Sequence, residues 1–413
     1  MRLLSYEEVG VKVAHGKKIT LIADDQKVVR HTLKLCLQNL DYQDVLEACD
    51  GKEAKQLAVE HDIDIIFCDL NMPVEDGFEV LRYLGEIHFS GSVILISGEE
   101  EEVLSSSSNL ARLYKLDILG SLKKPISFTT VKDLMSQVEK STISRINNRP
   151  PPVLSAASVQ HFIDTGCVRA FFQPQIELET GRVCGLEVLA RVVDEDDNII
   201  PPDSFIPVAE KNLDLILSLT KTIIRAAFSD IAKHFQSLQD ITFSLNISAK
   251  VLEDQGFTSW LDQVANEYQI PQESILCELT ETALTHDQAA INTQLLRLRL
   301  LKFNLSIDDF GTGYSSIAQL HSIPFNELKV DKRFVLDCLT NTKSQAILEQ
   351  SVRMGKAMGM SVVAEGVENR EVEEFLVSIG CNIAQGYLYS KPDELSYILA
   401  YMKRSNSIYE DRS

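Results

Sequence analysis

A run of three prolines, Pro150–Pro152, is the feature that most constrains how this chain folds. Proline has no backbone N–H and cannot continue a helix, so the segment around the run favours an extended, semi-rigid spacer. The 413 residues are also too many for one ordinary domain. The sequence therefore predicts two domains, with these bounds: an N-terminal extension (1–17), a first domain (18–140), a proline-rich linker (141–155), a second domain (156–405) and a tail (406–413).

Short apolar segments alternate with amphipathic ones throughout the first domain. Strongly apolar strands separated by helices are typical of a parallel sheet with both faces covered. The strand-like segments read ITLIADD, VLEA, DIIFCDL, SVILISG and GSLKKP. Helices are expected to start near Gln26, Gly51, Asp76, Glu99 and Ser127.

The polar residues of this domain follow the ends of those strands. Ligands of parallel α/β sheets bind beyond the carboxyl ends of the strands, so these residues form a candidate site. Any one of them alone could be a solvated loop residue. They are Asp24, Asp25, Asp69, Ser97 and Lys124.

The same alternation restarts on a larger scale after the prolines. Strand-like segments end at CGLEVLAR, ITFSLNIS, SILCELTE, FNLSIDDF, NELKVDK, SVVAEGVE and CNIAQGY. The clearest helices are expected at Leu213–Phe235, Asp287–Leu301, Lys343–Gly359 and Arg370–Ile379. Residues 156–405 match the length of about 250 residues that is typical of a (β/α)8 barrel, and we expect a TIM-like barrel here.

Polar side chains stand at the ends of these strands as well. A single carboxylate there would ordinarily cap the next helix or face solvent, but the active site of a barrel collects at the carboxyl ends of its strands. Several acids that meet at one mouth need cations to offset their repulsion. The residues are Glu187, Asn246, Glu278, Asp308, Lys329, Glu365 and Gln385, with Asp309 next to Asp308.

The charge of this set predicts which cations. Its five acids and Lys329 leave a net charge of −4, which two divalent ions would neutralise. The candidate ligands are all oxygen donors, with no His or Cys, so Mg²⁺ or Mn²⁺ fits better than Zn²⁺. The adjacent Asp308 and Asp309 are well placed to serve both ions.

Two such ions about 3.5–4 Å apart form a clamp suited to in-line displacement at phosphorus. Lys329 would orient the attacking hydroxide or assist the departing oxygen. The residues alone therefore favour phosphoester hydrolysis, and they leave metal-assisted enolate chemistry open.

Composition limits the cellular compartments and the classes of partner that fit this chain. The net charge of −20 and the absence of a basic helix-turn-helix pattern argue against nucleic-acid binding. No apolar run approaches the roughly 18–20 residues that span a bilayer, and the N-terminus lacks the features of a signal peptide. The eight cysteines form no CxxC pair and lie mostly in apolar runs, as expected of buried thiols in a reducing compartment. We therefore expect a cytoplasmic protein with neither DNA nor membrane as a partner.

The second half resembles the EAL-type phosphodiesterases, which open cyclic di-GMP to linear pGpG. The likeness runs from about Phe171 to Pro392, on motifs in the family's order: QPQIEL, EVLAR, PDSFIPVAE, NIS, ELTET, DDFGTGYSS, LKVD, AEGVE and QGYLYSKP. The signature triplet reads Glu-Val-Leu instead of Glu-Ala-Leu. Val188 is expected on the strand face opposite Glu187, so the change should have little effect on the chemistry.

The resemblance implies a role for each motif residue. One metal would be held by Glu187, Asn246, Glu278 and Asp308, and the second by Asp309, with Glu365 also among the metal ligands. The catalytic group would be Lys329, Glu365 and Glu187. Contacts to the dinucleotide would come from Gln173, Arg191, Asp331 and Gln385, with Arg191 on a phosphate and Gln385 also supporting a water at the metals. Glu281 would anchor the loop Phe310–Ser316.

The first half, from about Lys18 to Lys140, resembles a response-regulator receiver domain, which implies a flavodoxin-like, doubly wound fold. Asp24 and Asp25 match its acidic Mg²⁺ pair and Asp69, in CDLNMP, matches its phosphoacceptor. Ser97 and Lys124 match the residues that contact the phosphoryl group. Receivers usually carry an aromatic switch residue three positions before that lysine, where this chain has Ser121.

A receiver followed by an EAL domain with the Glu-Val-Leu triplet is most similar to RocR-type response regulators. This order predicts a two-component output protein in which a cognate sensor histidine kinase phosphorylates Asp69 and so tunes hydrolysis. EAL domains commonly associate through the barrel, so a homo-oligomer is expected. Two other interpretations stay open, a catalytically silent cyclic di-GMP sensor and an interaction scaffold.

Overall fold

The computed structural model describes residues 18–87, 89–98, 104, 107, 110, 111, 114, 116–136, 154–194, 197–281, 288–312 and 317–410. The chain divides into two compact units, Met1–Pro150 and Pro151–Ser413, and the division falls within the proline run. The predicted N-terminal extension and most of the predicted linker lie outside the described residues. The finer domain bounds stay a prediction.

The first unit contains a five-stranded parallel sheet with the strand order β2-β1-β3-β4-β5. This order is the one found in flavodoxin-like folds, so the predicted doubly wound fold is confirmed. The strands are β1 (Ile19–Ala23), β2 (Asp44–Ala48), β3 (Ile65–Asp69), β4 (Ser92–Ser97) and β5 (Asp117–Lys123).

Helices cover both faces of this sheet. Each of two helices starts at an aspartate whose carboxylate accepts the N–H three residues on, Asp50 from Glu53 and Asp76 from Glu79. The described helices are Lys27–Gln38, Gly51–Glu60, Gly77–Glu86 and residues 128–136. The helix expected to start near Glu99 begins outside the described residues.

Alternate residues of the central strands pack into two separate apolar clusters. On β3, Ile66 and Cys68 belong to one cluster, while Ile65 and Phe67 belong to the other. Successive side chains of a strand point to opposite faces, so each face of the sheet has its own core. This double burial explains why the strands read as continuous apolar runs.

The second unit contains a closed eight-stranded barrel, as predicted. A ninth short strand, β8 (Ile199–Ile200), pairs with Val192 and Val193. The barrel strands, in their order around the barrel, are β6 (Val168–Glu177), β14 (Ile383–Gln385), β13 (Ser361–Ala364), β12 (Glu327–Val330), β11 (Asn304–Phe310), β10 (Ile275–Thr280), β9 (Thr242–Asn246) and β7 (Val183–Val193).

The barrel departs from a regular (β/α)8 arrangement at β6. This strand, which the sequence pattern did not single out, runs antiparallel to both of its neighbours, β7 and β14. Only residues 178–182 connect β6 to β7. A parallel pair needs a crossover of about a dozen residues or more, so this short connection requires an antiparallel hairpin.

Ten helices surround the barrel within its described residues. The predicted helix Lys343–Gly359 ends earlier, at Ala357, because Gly359 adopts a left-handed φ of 76°. No helix in the described parts of the chain is both long and apolar enough to cross a bilayer. The ten helices are Ala156–Asp164, Ile206–Ala209, Leu213–His234, Phe257–Glu267, Gln288–Leu300, Ile317–Ser322, Lys332–Leu336, Thr342–Ala357, Arg370–Ser378 and Leu395–Glu410.

The strands of the barrel separate apolar from polar side chains. On β12, Leu328 and Val330 belong to the apolar core, whereas the alternate residues, Glu327 and Lys329, are buried without belonging to it. On β7, Val188 belongs to the core and Glu187 does not, as expected from the alternation. The barrel interior therefore carries the polar residues.

Candidate active site

The barrel strands bring four carboxylates around one buried ammonium group, three of them near strand ends and Glu187 from within β7. Lys329 is fully buried. Its Nζ lies 2.6 Å from Glu365 Oε1 and 2.9 Å from Glu278 Oε2. It also lies 3.5 Å from Glu187 Oε2 and 3.5 Å from Asp308 Oδ1. Four acids around a single cation leave an excess of negative charge that this lysine cannot neutralise.

The charge states of this group follow from burial and proximity. Burial acts to lower the pKa of Lys329, but the four carboxylates outweigh it and hold the pKa well above its ordinary value. Burial raises the pKa of Glu278 well above its ordinary value, against the attraction of Lys329. For Glu187, burial is outweighed by Lys329, Asn246 and Gln385, and its pKa is lowered. Without a bound metal ion, Lys329 is therefore a cation.

Asp308, Asp309 and Glu365 form a second acidic group, in which one oxygen of each lies within 4.8 Å of the others. Adjacent residues of a regular strand would face opposite sides. Here the register of β11 shifts between Ile307 and Phe310, and Asp309 has a left-handed φ of 55°. This irregularity lets both aspartates join the same group.

Protons occupy this second group near neutral pH. Burial and the charge of Asp308 raise the pKa of Asp309 to about 7. Burial raises the pKa of Glu365 to about 8, although Lys329 acts in the opposite direction. Near pH 7 both carboxyls are therefore only partly ionised, and a bound cation would displace the protons that they hold.

The residues present fit hard divalent cations. All predicted ligands contribute carboxylate or amide oxygens, which Mg²⁺ and Mn²⁺ prefer. The buried Oε1 of Glu278 has no hydrogen-bond partner among the described residues. A buried carboxylate oxygen without a donor is costly, and coordination to a cation would satisfy it.

Two carboxamides orient Glu187 by binding both of its oxygens. Asn246 Nδ2 donates to Glu187 Oε1 at 2.8 Å, and Gln385 Nε2 donates to Glu187 Oε2. Gln385 also donates to Gln173 Oε1 at 3.1 Å and accepts from Gln175 Nε2 at 3.1 Å. The sequence pattern singled out Gln173 and Gln385 but missed Gln175.

Glu281 contacts the loop that follows β11. It is buried, and its Oε2 accepts hydrogen bonds from the backbone N–H groups of Gly311 and Thr312, at 3.0 and 3.1 Å. Residues 313–316 of the predicted loop lie outside the described residues. Glu281 thus bonds the backbone of the described part of the loop.

Asp331 and Arg191 lie at the edge of the site. Asp331 caps the helix Lys332–Leu336 by accepting from the backbone N–H of Arg333 at 2.8 Å, and also from the Arg333 guanidinium at 2.9 Å. Arg191 donates to the backbone carbonyl of Ala190 at 2.7 Å, and partial burial lowers the pKa of its guanidinium.

Two cavities adjoin the acidic cluster, and Glu187 lines both of them. The larger, of about 680 Å³, contains Arg191, Asn246 and Asp308 together with apolar residues such as Leu219. The smaller, of about 220 Å³, is lined by residues that include Gln173, Glu365, Gln385 and Tyr387. The larger volume falls within the range of about 300–1,000 Å³ typical of small-molecule sites.

Glu327 is a further acid inside the barrel that the sequence pattern missed. It is buried, one of its oxygens lacks a partner among the described residues, and burial raises its pKa to about 7. It stands at the start of β12, two residues before Lys329, and a search of strand ends therefore passes over it.

The first unit has a smaller cluster of the same kind at the carboxyl ends of β1 and β3. Lys124 Nζ lies 2.7 Å from Asp69 Oδ2 and 2.9 Å from Asp24 Oδ2. Oxygens of Asp24, Asp25 and Asp69 lie within 4.8 Å of one another. Burial raises the pKa of Asp69, although Lys124 opposes the shift.

Ser97, the remaining predicted site residue of this unit, and Ser121 lie on neighbouring strands. Ser97 is the buried last residue of β4, and its backbone carbonyl accepts from the N–H of Lys124 at 2.9 Å. Ser121, at the position of the expected aromatic switch, is an exposed residue of β5 that pairs in register with Leu95.

Comparison with known proteins gives matches on both sides of the proline run. The EAL domain family model matches residues 156–392, and the response regulator receiver domain model matches residues 20–136. Cyclic di-GMP phosphodiesterase RocR of Pseudomonas aeruginosa is 31% identical over 395 residues, which cover 93% of this chain and 98% of RocR.

Two further matches concern the second unit. Oxygen sensor protein DosP of Escherichia coli is 34% identical over 237 residues, which cover 57% of this chain and 30% of DosP. The solved structure of the PaMucR phosphodiesterase in complex with c-di-GMP is 28% identical with a TM-score of 0.56, and the match covers 59% of this chain and 98% of that chain.

Proposed function

The chain belongs to the EAL domain family and carries a response regulator receiver domain, and from this premise we propose that it hydrolyses cyclic di-GMP to linear pGpG. RocR is named as a cyclic di-GMP phosphodiesterase, and PaMucR is a phosphodiesterase whose solved structure contains c-di-GMP. The observation that carries the proposal is the set of four carboxylates around the buried Lys329. Such an excess of buried acid is costly in a protein that binds no cation there.

The residues that would hold the metals are those predicted from the motifs. Glu187, Asn246, Glu278 and Asp308 would hold one divalent ion, and Asp309 and Glu365 would hold the second. Bound Mg²⁺ or Mn²⁺ would lower the pKa of a water and neutralise the charge of the scissile phosphate. The oxygen-only donor set and the orphaned Glu278 Oε1 support this assignment.

The product defines the bond that breaks. Linear pGpG keeps a 5′-phosphate, so the water oxygen bonds to phosphorus, the bond from phosphorus to the 3′-oxygen breaks, and that oxygen gains a proton. Lys329, whose ammonium lies among the acids of the site, would stabilise the attacking or the departing oxygen by donation. Glu365, whose Oε1 lies 2.6 Å from that ammonium, would orient it.

The two cavities that share Glu187 would receive the two halves of the dinucleotide. Arg191, in the larger cavity, would pair with a phosphate by a charge-assisted bond. Gln173 and Gln385 would contact the substrate from the smaller cavity, with Asp331 near Asp309. Glu281 would hold the backbone of Gly311 and Thr312 in place beside Asp309.

The receiver would regulate this activity. Asp69 would accept a phosphoryl group from a sensor histidine kinase, with Mg²⁺ held by Asp24 and Asp25 and with Ser97 and Lys124 against the phosphoryl oxygens. The added negative charge would change the state of the receiver and so tune the barrel. We also propose a cytoplasmic location, the predicted domain bounds and a homo-oligomer formed through the barrel.

Turnover of cyclic di-GMP by the purified full chain tests the proposal. With Mg²⁺ or Mn²⁺ it should form pGpG, whereas Glu187→Gln and Lys329→Ala should abolish turnover while the barrel stays folded. Fluorescence of Trp260, the one tryptophan of the chain, reports the folding of the barrel. Lys302→Ala is the matched control, because Lys302 is exposed and pairs only with Glu273 among the described residues, at 3.0 Å.

Each other outcome selects a different interpretation. Tight binding of cyclic di-GMP without product would indicate a catalytically silent sensor. Neither binding nor turnover would indicate an interaction scaffold. Wild-type turnover in either site variant would contradict the assigned site.

A further inference from the structure

Gln175 is a buried carboxamide to which the proposed reaction gives no role, and it lies in a hydrogen-bonded network inside the barrel. Its strand, β6, lies between β14 and β7, so Gln175 stands opposite Gln385 on one side and Gly185 on the other. Gln175 Nε2 donates to Gln385 Oε1 at 3.1 Å. Gln385 Nε2 in turn donates to Glu187 Oε2 and to Gln173 Oε1.

The two ends of this network determine the direction of every bond in it. The carboxylate of Glu187 and the backbone carbonyl of Ser390 can only accept. Gln173 Nε2 donates to the Ser390 carbonyl at 3.1 Å, which leaves Gln173 Oε1 facing Gln385. The Gln385 amide must therefore turn its NH₂ group to Glu187 and Gln173, and its oxygen to the remaining side.

Gln175 supplies the donor on that remaining side. A Gln385 amide turned over by half a rotation would set its oxygen against the Glu187 carboxylate and against Gln173 Oε1, both of which are acceptors. It would also set its NH₂ group against the NH₂ group of Gln175. The donor from Gln175 thus adds to the preference for one orientation of Gln385 at a buried position where unpaired polar groups are costly.

Gly185 provides the space that the Gln175 carboxamide fills. A Cβ on residue 185 would lie 2.2 Å from Oε1 of Gln175, so any side chain there would displace the amide. The backbone of Gly185 is not in the left-handed region, and the requirement for glycine is therefore one of space alone.

We infer that Gln175, seated against Gly185, is a positioning residue that holds the Gln385 carboxamide with its NH₂ group toward Glu187. It acts through Gln385 on a carboxylate assigned to the metals and does not itself touch substrate. The reaction that it would serve rests on the proposed function, whereas its effect on the metal site does not depend on the identity of the substrate.

One substitution at residue 175 separates a donor from a space-filling group. Gln175→Met keeps the length but removes the donor. A positioning role predicts that Gln175→Met lowers kcat and weakens Mn²⁺ binding, whereas a packing role predicts values near the wild type, because methionine fills a similar space.

The expected changes in kcat and in Mn²⁺ affinity follow from the loss of one buried hydrogen bond, which acts on the metal-binding Glu187 through Gln385. Gln175→Met should lower kcat about five- to tenfold with an unchanged KM, since no substrate contact is lost. Its affinity for Mn²⁺, measured by titration without nucleotide, should fall by a similar factor. The titration uses the full chain with Asp24→Asn and Asp25→Asn, so that only the barrel site is observed.

Two more variants make the test independent of substitutions at residue 175. Gly185→Ala keeps Gln175 but displaces its amide, and it should weaken Mn²⁺ binding and lower kcat as Gln175→Met does. Gln294→Met is the matched control, because Gln294 is a buried carboxamide outside the network that accepts from Thr258 Oγ1 at 2.7 Å. It should leave Mn²⁺ affinity and kcat as in the wild type.

The inference is overturned if Gln175→Met and Gly185→Ala, both folded by Trp260 fluorescence, bind Mn²⁺ and turn over as the wild type does. An absence of turnover in the wild type would refute the proposed function alone, since the Mn²⁺ titrations would still decide on Gln175.

Discussion

Each of the two units places a lysine among carboxylates, but the number of carboxylates differs. In the receiver, Lys124 meets two carboxylates, Asp24 and Asp69, and its side chain keeps 15% of its surface exposed. In the barrel, Lys329 meets four carboxylates and is fully buried. Both clusters stand at the carboxyl ends of parallel strands.

The difference in charge indicates a difference in use. Asp24, Asp25 and Asp69 with Lys124 carry a net charge of −2, which suits one divalent ion, whereas the five acids of the barrel with Lys329 carry −4, which suits two. One ion beside Asp69 would suit the acceptance and release of a phosphoryl group, whereas two ions would suit the hydrolysis of a phosphodiester.

The largest expected effect separates the two lysines. Lys329→Ala should lower turnover by about 10³-fold, because it removes the buried cation beside the reacting oxygens. Lys124→Ala should instead remove the response of turnover to a phosphodonor such as acetyl phosphate. Steady-state assays of both variants, with Lys302→Ala as control, measure this difference. Turnover of Lys329→Ala within tenfold of the wild type would remove the distinction between the two lysines.

The second prediction concerns the protons held by the barrel site. Glu365, with a pKa raised to about 8, and Asp309, with a pKa raised to about 7, must lose their protons before they bind a cation. The affinity for Mn²⁺ should therefore increase as the pH rises from 6 to 8, by roughly 500-fold for two linked protons with these pKa values.

Titration calorimetry of the full chain with Asp24→Asn and Asp25→Asn measures this linkage, in buffers of different ionisation enthalpy. Glu365→Gln should reduce the number of protons released by about one. A pH-independent affinity would show that the acids of the barrel are already ionised, as solvated acids would be.

The third prediction uses Glu327, a buried acid that lacks a partner for one of its oxygens among the described residues. Its pKa is raised to about 7, so below about pH 4.5 Glu327 is protonated in both the folded and the unfolded state and does not lower the free energy of unfolding. As the pH rises from about 4.5 to 7, Glu327 ionises in the unfolded chain before it does so in the folded one. The barrel therefore loses on the order of 3 kcal/mol of stability by pH 7.

Urea unfolding at pH 5 and pH 7.5, followed by Trp260 fluorescence, measures this loss for the barrel. Glu327→Gln should reduce the difference in the free energy of unfolding between the two pH values, whereas the exposed Glu273→Gln should not. Equal pH dependence in the wild type and Glu327→Gln would show that Glu327 titrates as an ordinary carboxyl.

The smallest expected effect is the coupling between the units. Asp69→Asn should change the response of turnover to a phosphodonor by several-fold, the scale of a typical coupling free energy of about 1 kcal/mol. Kinetics measured with and without acetyl phosphate test this. Identical kinetics in wild type and Asp69→Asn, with the phosphodonor present, would make the receiver a docking module.

Local patterns were enough to predict the two folds and most of the polar residues that converge. Apolar runs such as those of β3 and β4 are strands buried on two faces, and the residues at strand ends meet wherever parallel strands share an edge. Glu278, Asp308 and Glu365 lie within two residues of a strand end, whereas Glu187, which was also predicted at a strand end, is the fifth of the eleven residues of β7. All four contact Lys329.

The features that the sequence pattern missed depend on pairing between strands. The antiparallel direction of β6 follows from a short connection, and nothing in the apolar pattern distinguishes it. Glu327 stands at the start of a strand, and Gln175 matters only because the register sets it between Gly185 and Gln385. The convergence of the neighbouring Asp308 and Asp309 likewise requires a local irregularity that breaks the alternation of a strand.

The central claim is that the acids around Lys329 bind a pair of divalent ions that act on a phosphodiester. A crystal of the protein with Mn²⁺ and cyclic di-GMP, measured at the manganese absorption edge, tests it most directly. The account predicts two anomalous peaks about 3.5–4 Å apart among Glu187, Glu278, Asp308, Asp309 and Glu365, with a phosphate of the nucleotide between them. Density that shows the nucleotide bound with no manganese among these carboxylates would contradict it.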